Sequence, residues 1–208
     1  LLYTMSDISD EIEADIANRV YKGKLGLVAM HHSIKANGNP VLRKLIGGEF
    51  HKMWYPHQDY VVHVEDAKHP ITAGINDFEL KDDETFGPIE IYGNIHTLFT
   101  TSHRPSQREI GWANNYGKGR IFYCQPGHHE TISTFLNENY QQAIIQAVKW
   151  VSPKKGIKAE EAKPSSDLKT NVSIVLSDSK ELKNPIPVTE SLNQAQIDAM
   201  VKLALKKL

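Results

Sequence analysis

The chain has 208 residues, 40% of them hydrophobic and 24% charged, the composition of an ordinary globular protein long enough for one α/β domain and little more. Lys+Arg at 24 against Asp+Glu at 25 gives a formal net charge of -1, which excludes a nucleic-acid groove built on bulk positive charge. A single cysteine excludes an internal disulfide and a multi-cysteine zinc site, and no apolar run approaches the roughly 18 to 20 residues of a membrane span. Histidine stands out, because all 10 lie between His31 and His129.

In chain order, "LLYTM" reads as the tail of a buried strand, so the chain is expected to begin inside a domain whose first strand or strands precede Leu1. Ile8, Ile12, Ile16 and Val20 then fall on one helical face, with Ser6 or Ser9 as cap and Lys22-Gly23 as stop. "KLGLVAM" is a continuous apolar run that suits a strand buried on both faces, and it ends in "HHS". "GNPVLRKLIGG" predicts a short helix with Asn39 as cap, Pro40 at its first position and Gly47-Gly48 as stop. "DYVVHVE" and "IHTLFTT" alternate like strands, and "REIGWANNYGKGRIFYCQPG" reads as a hairpin turning at Gly117-Lys118-Gly119. A last domain helix after "NEN" carries Tyr140, Ile144, Ala147, Val148 and Val151 and stops at Ser152-Pro153. Residues 154–170 have linker composition. In 171–208, "NVSIVLS" suits a strand and the stretch from Ser191 to Leu208 an amphipathic helix, an extension of unknown role.

Helix, buried strand, helix and strand in alternation predict an open, mostly parallel sheet, in which ligands bind beyond the carboxyl ends of the strands. Two segments put imidazoles there. His31, His32 and Ser33 follow the buried strand, and Gly127, His128, His129 and Glu130 follow the hairpin's second strand. Imidazole gives and takes protons near neutrality, and a carboxylate such as Glu130 fixes its tautomer. A shared site requires His31 and His128 within about 10 Å, the reach of a hydrogen bond through one water. "GGEFHKMWYPH" adds Glu49, His51, His57 and the flat face of Trp54. The acidic run "ELKDDETFG", with Glu79, Asp82, Asp83 and Glu84, is expected as a solvated loop. If instead one of its carboxylates enters the cleft, it makes an acid/base pair or a metal site with the histidines. There is no HExxH spacing, so spacing alone assigns no metal. Cys124 lies inside a strand pattern and reads as a structural thiol, and no GxSxG or GxCxG elbow is present.

"GLVAMHHS", "LIGGEFHKMW", "HPITAGINDFELKDDETFG" and "GKGRIFYCQPGHHE", in this order, resemble the ThuA-like family of trehalose-utilisation proteins over about residues 1–153. The resemblance implies a flavodoxin-like, class I glutamine amidotransferase-like α/β fold, with a mostly parallel sheet, flanking helices and the N-terminal strand or strands missing. It also implies a role in the catabolism of trehalose, related disaccharides or keto-sugar derivatives. In the amidotransferase relatives the strand resembling "GLVAM" ends in the nucleophilic cysteine, whereas here that position is His31, so glutaminase chemistry is not expected. The expected activity is that of a sugar isomerase or hydrolase using His/Glu acid–base groups. His31, His128, Glu130 and Glu84 are the catalytic candidates, and His32, His51, Trp54, Gly127 and His129 the substrate-binding ones. The competing readings are a non-catalytic sugar-binding or interaction module on the same fold and a metal-dependent hydrolase. The cofactor is unknown, with a divalent metal left open. The expected partner is a small sugar, with no nucleic acid and no membrane span, and homo-oligomerisation stays open. The compartment is undecided, cytoplasmic being the first choice over periplasmic or secreted.

Overall fold

A computed structural model of the chain describes residues 1–3, 8–34, 40–128 and 130–153. The expectations for the linker at 154–170, for the strand and helix in 171–208, for Asn39 and for His129 lie outside the described residues.

The strand β1 (Leu2–Tyr3) is followed by the helix α1 (Asp10–Tyr21), whose acidic first turn sits at the positive end of the helix dipole. Ser9 caps it, its hydroxyl accepting from the Ile12 N–H at 3.5 Å. β2 (Leu27–Met30) is buried at every position, as its unbroken apolar sequence requires. A single 3-10 turn (His31–Ile34) leads toward the short helix α2 (Pro40–Ile46). Then come β3 (Gly48–Val64), β4 (Phe78–Ile91), β5 (His96–Thr100), β6 (Glu109–Tyr116) and β7 (Gly119–Cys124). Two helices, α3 (Ile132–Leu136) and α4 (Glu138–Val151), close the series.

One sheet runs in the order β1-β2-β7-β6-β5-β3-β4, flanked by helices, an α/β arrangement consistent with a flavodoxin-like fold. The expectation of a mostly parallel sheet is corrected: β1–β2 and β2–β7 are parallel, while β7–β6, β6–β5, β5–β3 and β3–β4 are antiparallel. Parallel neighbours need a crossover helix. After α2 the chain instead returns by direct connections, among them the tight Gly117-Lys118 turn between β6 and β7.

The acidic run is corrected too. It is not a loop but part of β4, where Phe78, Leu80, Asp83, Glu84, Thr85 and Phe86 are buried while Glu79, Lys81 and Asp82 face out. β3 joins the main sheet through His63 and Val64 against β5, and its long remainder pairs with β4. Register shifts between Phe50 and Met53, Tyr55 and Gln58, and Gln58 and Tyr60 mark bulges, which bend and twist a ribbon. The ribbon brings Phe86 against His31 and His32 at the exit of β2, with ring centroids at 5.3 and 5.8 Å.

On one face of the sheet Leu27, Ala29, Ile121 and Tyr123 pack with Ile16, Val20, Leu42, Leu45, Ile46 and Trp112. The indole N–H of Trp112 donates to the Ile46 carbonyl at 2.7 Å, so this large buried ring leaves no polar atom unpaired. The alternate residues Val28, Met30, Phe122 and Cys124 turn to the other face, where α4 packs on β2 and β7. Gly26 is required there: a Cβ would lie 2.0 Å from the Val151 carbonyl oxygen at the end of α4. Among the described residues no helix is long and apolar enough to cross a membrane.

Candidate active site

The parallel strands β2 and β7 end side by side, Met30 pairing with Cys124. The residues that follow each therefore meet. His31 turns sharply out of β2 with φ of 50°, in the left-handed region that a histidine adopts at an energetic cost. Its ring is fully buried and lies 5.4 Å, centroid to centroid, from that of His128, well inside the distance a shared site requires. His32 is next to both, at 4.0 Å from His31 and 5.6 Å from His128.

Glu84 reaches this point from β4. It has no ladder partner, because it falls in the register shift between Asp83, opposite Gln58, and Thr85, opposite Tyr55. Its Oε1 lies 2.9 Å from His32 Nε2 and 3.4 Å from His31 Nε2, and its Oε2 lies 3.8 Å from His128 Nε2. One nitrogen from each imidazole and one carboxylate oxygen all fall within 4.8 Å of one another. The four residues can therefore hold a metal ion or pass a proton among themselves.

The His31 ring is oriented from behind, Nδ1 being 2.6 Å from the backbone carbonyl of Gln125. A carbonyl only accepts, so Nδ1 carries the proton and Nε2 presents its lone pair to Glu84. Burial pushes the imidazole down to about 4, against the pull of Glu84, so the ring is neutral at neutral pH. Burial alone would raise the Glu84 carboxyl, but the surrounding imidazoles of His31, His32 and His128 in their charged form outweigh that and hold it well below the usual carboxylate range.

Asp83, next to Glu84, is equally buried and has a different task. It accepts from the Tyr60 hydroxyl at 2.7 Å, the His128 N–H at 3.0 Å and the Gly127 N–H at 3.2 Å. Burial raises its pKa, and these donors oppose the rise. The turn carrying Gly127 and His128 is further tied down by Tyr3, whose hydroxyl donates to the Gly127 carbonyl at 3.0 Å, and by Tyr140, whose hydroxyl donates to Pro126 at 3.1 Å.

Of the candidates named from sequence, His31, His32, Glu84 and His128 come together. Glu130 stands at the exposed rim, its Oε2 3.9 Å from His128 Nδ1, and Gly127 forms the turn beneath. His51 is elsewhere on β3, its Nε2 2.8 Å from Glu90, and Glu49 is held by Arg43 and Tyr92. Trp54 is 61% exposed on β3, directly opposite Phe86. Side chains directly opposite on paired strands point to the same side of the ribbon, which is the basis on which Trp54 stays a binding candidate. Asp83 and Gln125 were not singled out from sequence for these roles, since backbone acceptance and a three-donor clamp follow from tertiary pairing. Two surface hollows, of about 420 Å³ around Tyr92 and Asn114 and about 370 Å³ around His63 and Arg108, contain none of the four clustered residues. The chemistry is concentrated at the strand exits, where His32 and His128 side chains are 20% and 12% exposed.

The family model described as ThuA, trehalose utilisation, matches residues 1–151. Among solved structures, a ThuA-like protein from Parabacteroides merdae superposes with a TM-score of 0.61 at 18% identity, covering 72% of this chain and 67% of that one. A ThuA-like protein from Bacteroides uniformis gives 0.56 at 19% identity, covering 71% and 66%. A cytoplasmic protein from Salmonella typhimurium LT2 gives 0.55 at 15% identity, covering 70% and 62%. At these identities the likeness is one of fold, and the chain spans about two thirds of the length of the first two. No curated protein matches the sequence.

Proposed function

The chain belongs to the ThuA, trehalose-utilisation family, and from that premise we propose that it is an enzyme acting on a disaccharide or an oxidised sugar derivative at the His31/His32/Glu84/His128 cluster. The family supplies the carbohydrate context. The observation that carries the catalytic reading is the convergence of three imidazoles on one buried carboxylate at two adjacent strand exits. A neutral imidazole beside a carboxylate accepts a proton from a sugar hydroxyl or a carbon next to a carbonyl, and returns it at the neighbouring atom. This is the proton traffic of an isomerisation, or of an assisted hydrolysis. Glu130, 3.9 Å from His128 Nδ1 at the exposed rim, is assigned a part in proton exchange there.

Trp54 offers a platform of the kind sugar rings stack on, His32 stays a binding candidate within the cluster, and Gly127 contributes through the turn beneath it. His51 is the weakest of the binding candidates, being paired with Glu90. His129 joins them as a proposal from its sequence position alone. The thiol-based chemistry of amidotransferases has no counterpart, because the residue at the exit of β2 is His31 and Cys124 is buried within β7.

The competing reading, a non-catalytic sugar-binding module, has an aromatic cleft with no hydrogen-bonded His–Glu pair; what supports the enzyme instead is the gathering of three imidazole nitrogens and one Glu84 oxygen within 4.8 Å of one another. The deciding experiment incubates the purified chain with trehalose-type disaccharides and their keto derivatives and follows products by mass spectrometry. Turnover by the wild type and its loss by at least about a hundredfold in His128→Ala is expected for an acid–base group. Equal rates for the two proteins would remove the catalytic assignment.

A further inference from the structure

We propose that His31, His32, His128 and Glu84 together bind one divalent first-row transition-metal ion. The inference rests on this cluster being the functional centre, but not on the substrate being a sugar.

The argument begins with two buried acceptors that face each other. His31 Nδ1 is committed as a donor to the Gln125 carbonyl at 2.6 Å, so the lone pair of Nε2 points at Glu84 Oε1, 3.4 Å away. His31 Nε2 and Glu84 Oε1 are both without a hydrogen-bond partner among the described residues, on side chains 0% and 6% exposed. Even the 2.9 Å approach of His32 Nε2 to the same oxygen lacks hydrogen-bond alignment. A buried unsatisfied acceptor costs about 1–3 kcal/mol, and here two confront each other. A cation between them turns this repulsion into coordination.

The spacing fits. Metal–ligand bonds of about 2.1 Å put neighbouring ligand atoms about 3.4 Å apart in a tetrahedron. The separations of 2.9 and 3.4 Å from Glu84 Oε1 fall around that value, His128 Nε2 lies 3.8 Å from the other carboxylate oxygen, and no pair within the four-atom set exceeds 4.8 Å. The surroundings also suit a metal centre. Ligating histidines donate their second N–H to a carbonyl or carboxylate, as His31 does to Gln125, and Glu130 lies 3.9 Å from the second nitrogen of His128. Phe86 supplies an apolar wall against both His31 and His32.

Three imidazoles and one carboxylate, with no thiolate, match zinc, manganese, iron or cobalt, whereas calcium and magnesium prefer all-oxygen sites. One carboxylate charge leaves a bound dication with a net positive centre. Such a centre attracts oxygen-rich ligands, such as the carbonyl or paired hydroxyls of a sugar. With the ion bound, the four residues serve as ligands, and Glu130, 3.9 Å from His128 Nδ1, is a nearby carboxylate outside the ligand set.

The test strips the full 208-residue chain with chelator and titrates it with zinc and with cobalt, following heat and the visible spectrum of cobalt. One equivalent binding tightly, with cobalt bands of a low-coordinate nitrogen/oxygen site, is expected for the wild type. Glu84→Gln and His128→Ala should each weaken binding by about a hundredfold or more with far-UV circular dichroism unchanged, exceeding the 10–100-fold typical of outer-shell losses. His57→Ala, an exposed histidine paired with Asp82, should bind as the wild type does. Wild-type binding no tighter than that of Glu84→Gln overturns the proposal, as does a cobalt spectrum of the free aqueous ion, which needs no variant to fold. Sugar turnover undiminished in the stripped protein, but lost in His128→Ala, would retain the enzyme and reject the metal. Tight binding by a protein inert toward every sugar would do the reverse.

Discussion

The backbone N–H of His128 donates to the Asp83 carboxylate at 3.0 Å across 45 residues of sequence. With the Gly127 N–H and the Tyr60 hydroxyl on the same carboxylate, Asp83 fixes the turn that aims His128 at Glu84. Two neighbouring acids thus divide the work: Glu84 faces the three histidines and Asp83 holds the backbone behind them. Asp83→Asn turns an amide N–H₂ toward donors that need an acceptor. We expect a loss of about 2 kcal/mol in urea unfolding, in the range for hydrogen bonds to a buried charge, and about 1 kcal/mol for Tyr60→Phe. An unchanged urea midpoint in Asp83→Asn would show that the carboxylate does not anchor the turn.

Acid should weaken the metal-stripped protein through His31. Its imidazole is neutral in the fold down to about 4, whereas the unfolded chain titrates near about 6.5. Between those values the unfolded state binds the extra proton, so stability is complete above the upper value and falls as pH drops toward the lower. The interval corresponds to about 3 kcal/mol. Glu84 acts with the same sign at lower pH: its folded pKa is depressed, so its contribution is lost as pH falls through and below about 4.3. Urea unfolding at pH 7 and pH 5 should show a smaller pH dependence in His31→Asn than in the wild type. Parallel slopes in the two proteins would refute the assignment.

Local pattern carried much of the fold. The spacing of Ile12, Ile16 and Val20 marks α1, the unbroken "LVAM" marks β2, and the glycines at 117 and 119 mark the β6–β7 hairpin. Of the β3–β4 ribbon only "DYVVHVE", the end of β3, was legible, because bulges interrupt the alternation of the rest and its exposed face is rich in polar residues. Strand direction was hidden too, since it depends on which distant strands pair. The same division holds at the site. His31 and His128 could be read as strand-exit residues, since His31 directly follows the apolar run of β2 and His128 follows β7 after only Gln125-Pro126-Gly127. Which acid of the run Glu79–Glu84 enters the cluster depends on the register shift opposite Tyr55 and Gln58, a relation between strands that no single segment encodes.

Gly127 has φ of +115°, and a Cβ there would lie 2.9 Å from the Tyr140 hydroxyl and 3.2 Å from the Phe135 ring. The tyrosine cannot move aside without giving up its 3.1 Å hydrogen bond to Pro126. Gly127→Ala therefore combines a backbone conformation that alanine disfavours with a clash. A destabilisation of about 2 kcal/mol is expected, read as a lowered thermal midpoint. A midpoint equal to that of the wild type would mean that the turn has room to relax.

Cys124 is fully enclosed, and burial, aided by the nearby Asp83 charge, pushes its thiol up, away from the thiolate form. The native protein should resist iodoacetamide and become labelled in denaturant. Cys124→Ala should retain sugar turnover within about twofold, at a packing cost of about 1 kcal/mol. A folded Cys124→Ala protein without turnover would restore a role for the thiol.

Trp54 separates binding from stability. Its side chain is 61% exposed and stands opposite Phe86, which walls the histidine cluster. Truncating an exposed side chain away from the core changes stability by within about 0.5 kcal/mol. If the indole carries a sugar ring, its loss removes stacking on the substrate while leaving His31, His32, Glu84 and His128 in place. Trp54→Ala is then expected to raise KM about tenfold, equivalent to about 1.4 kcal/mol of binding, with kcat little changed. A fall in kcat at constant KM would instead place Trp54 in the chemical step, and unchanged kinetics would move the sugar to another wall of the site.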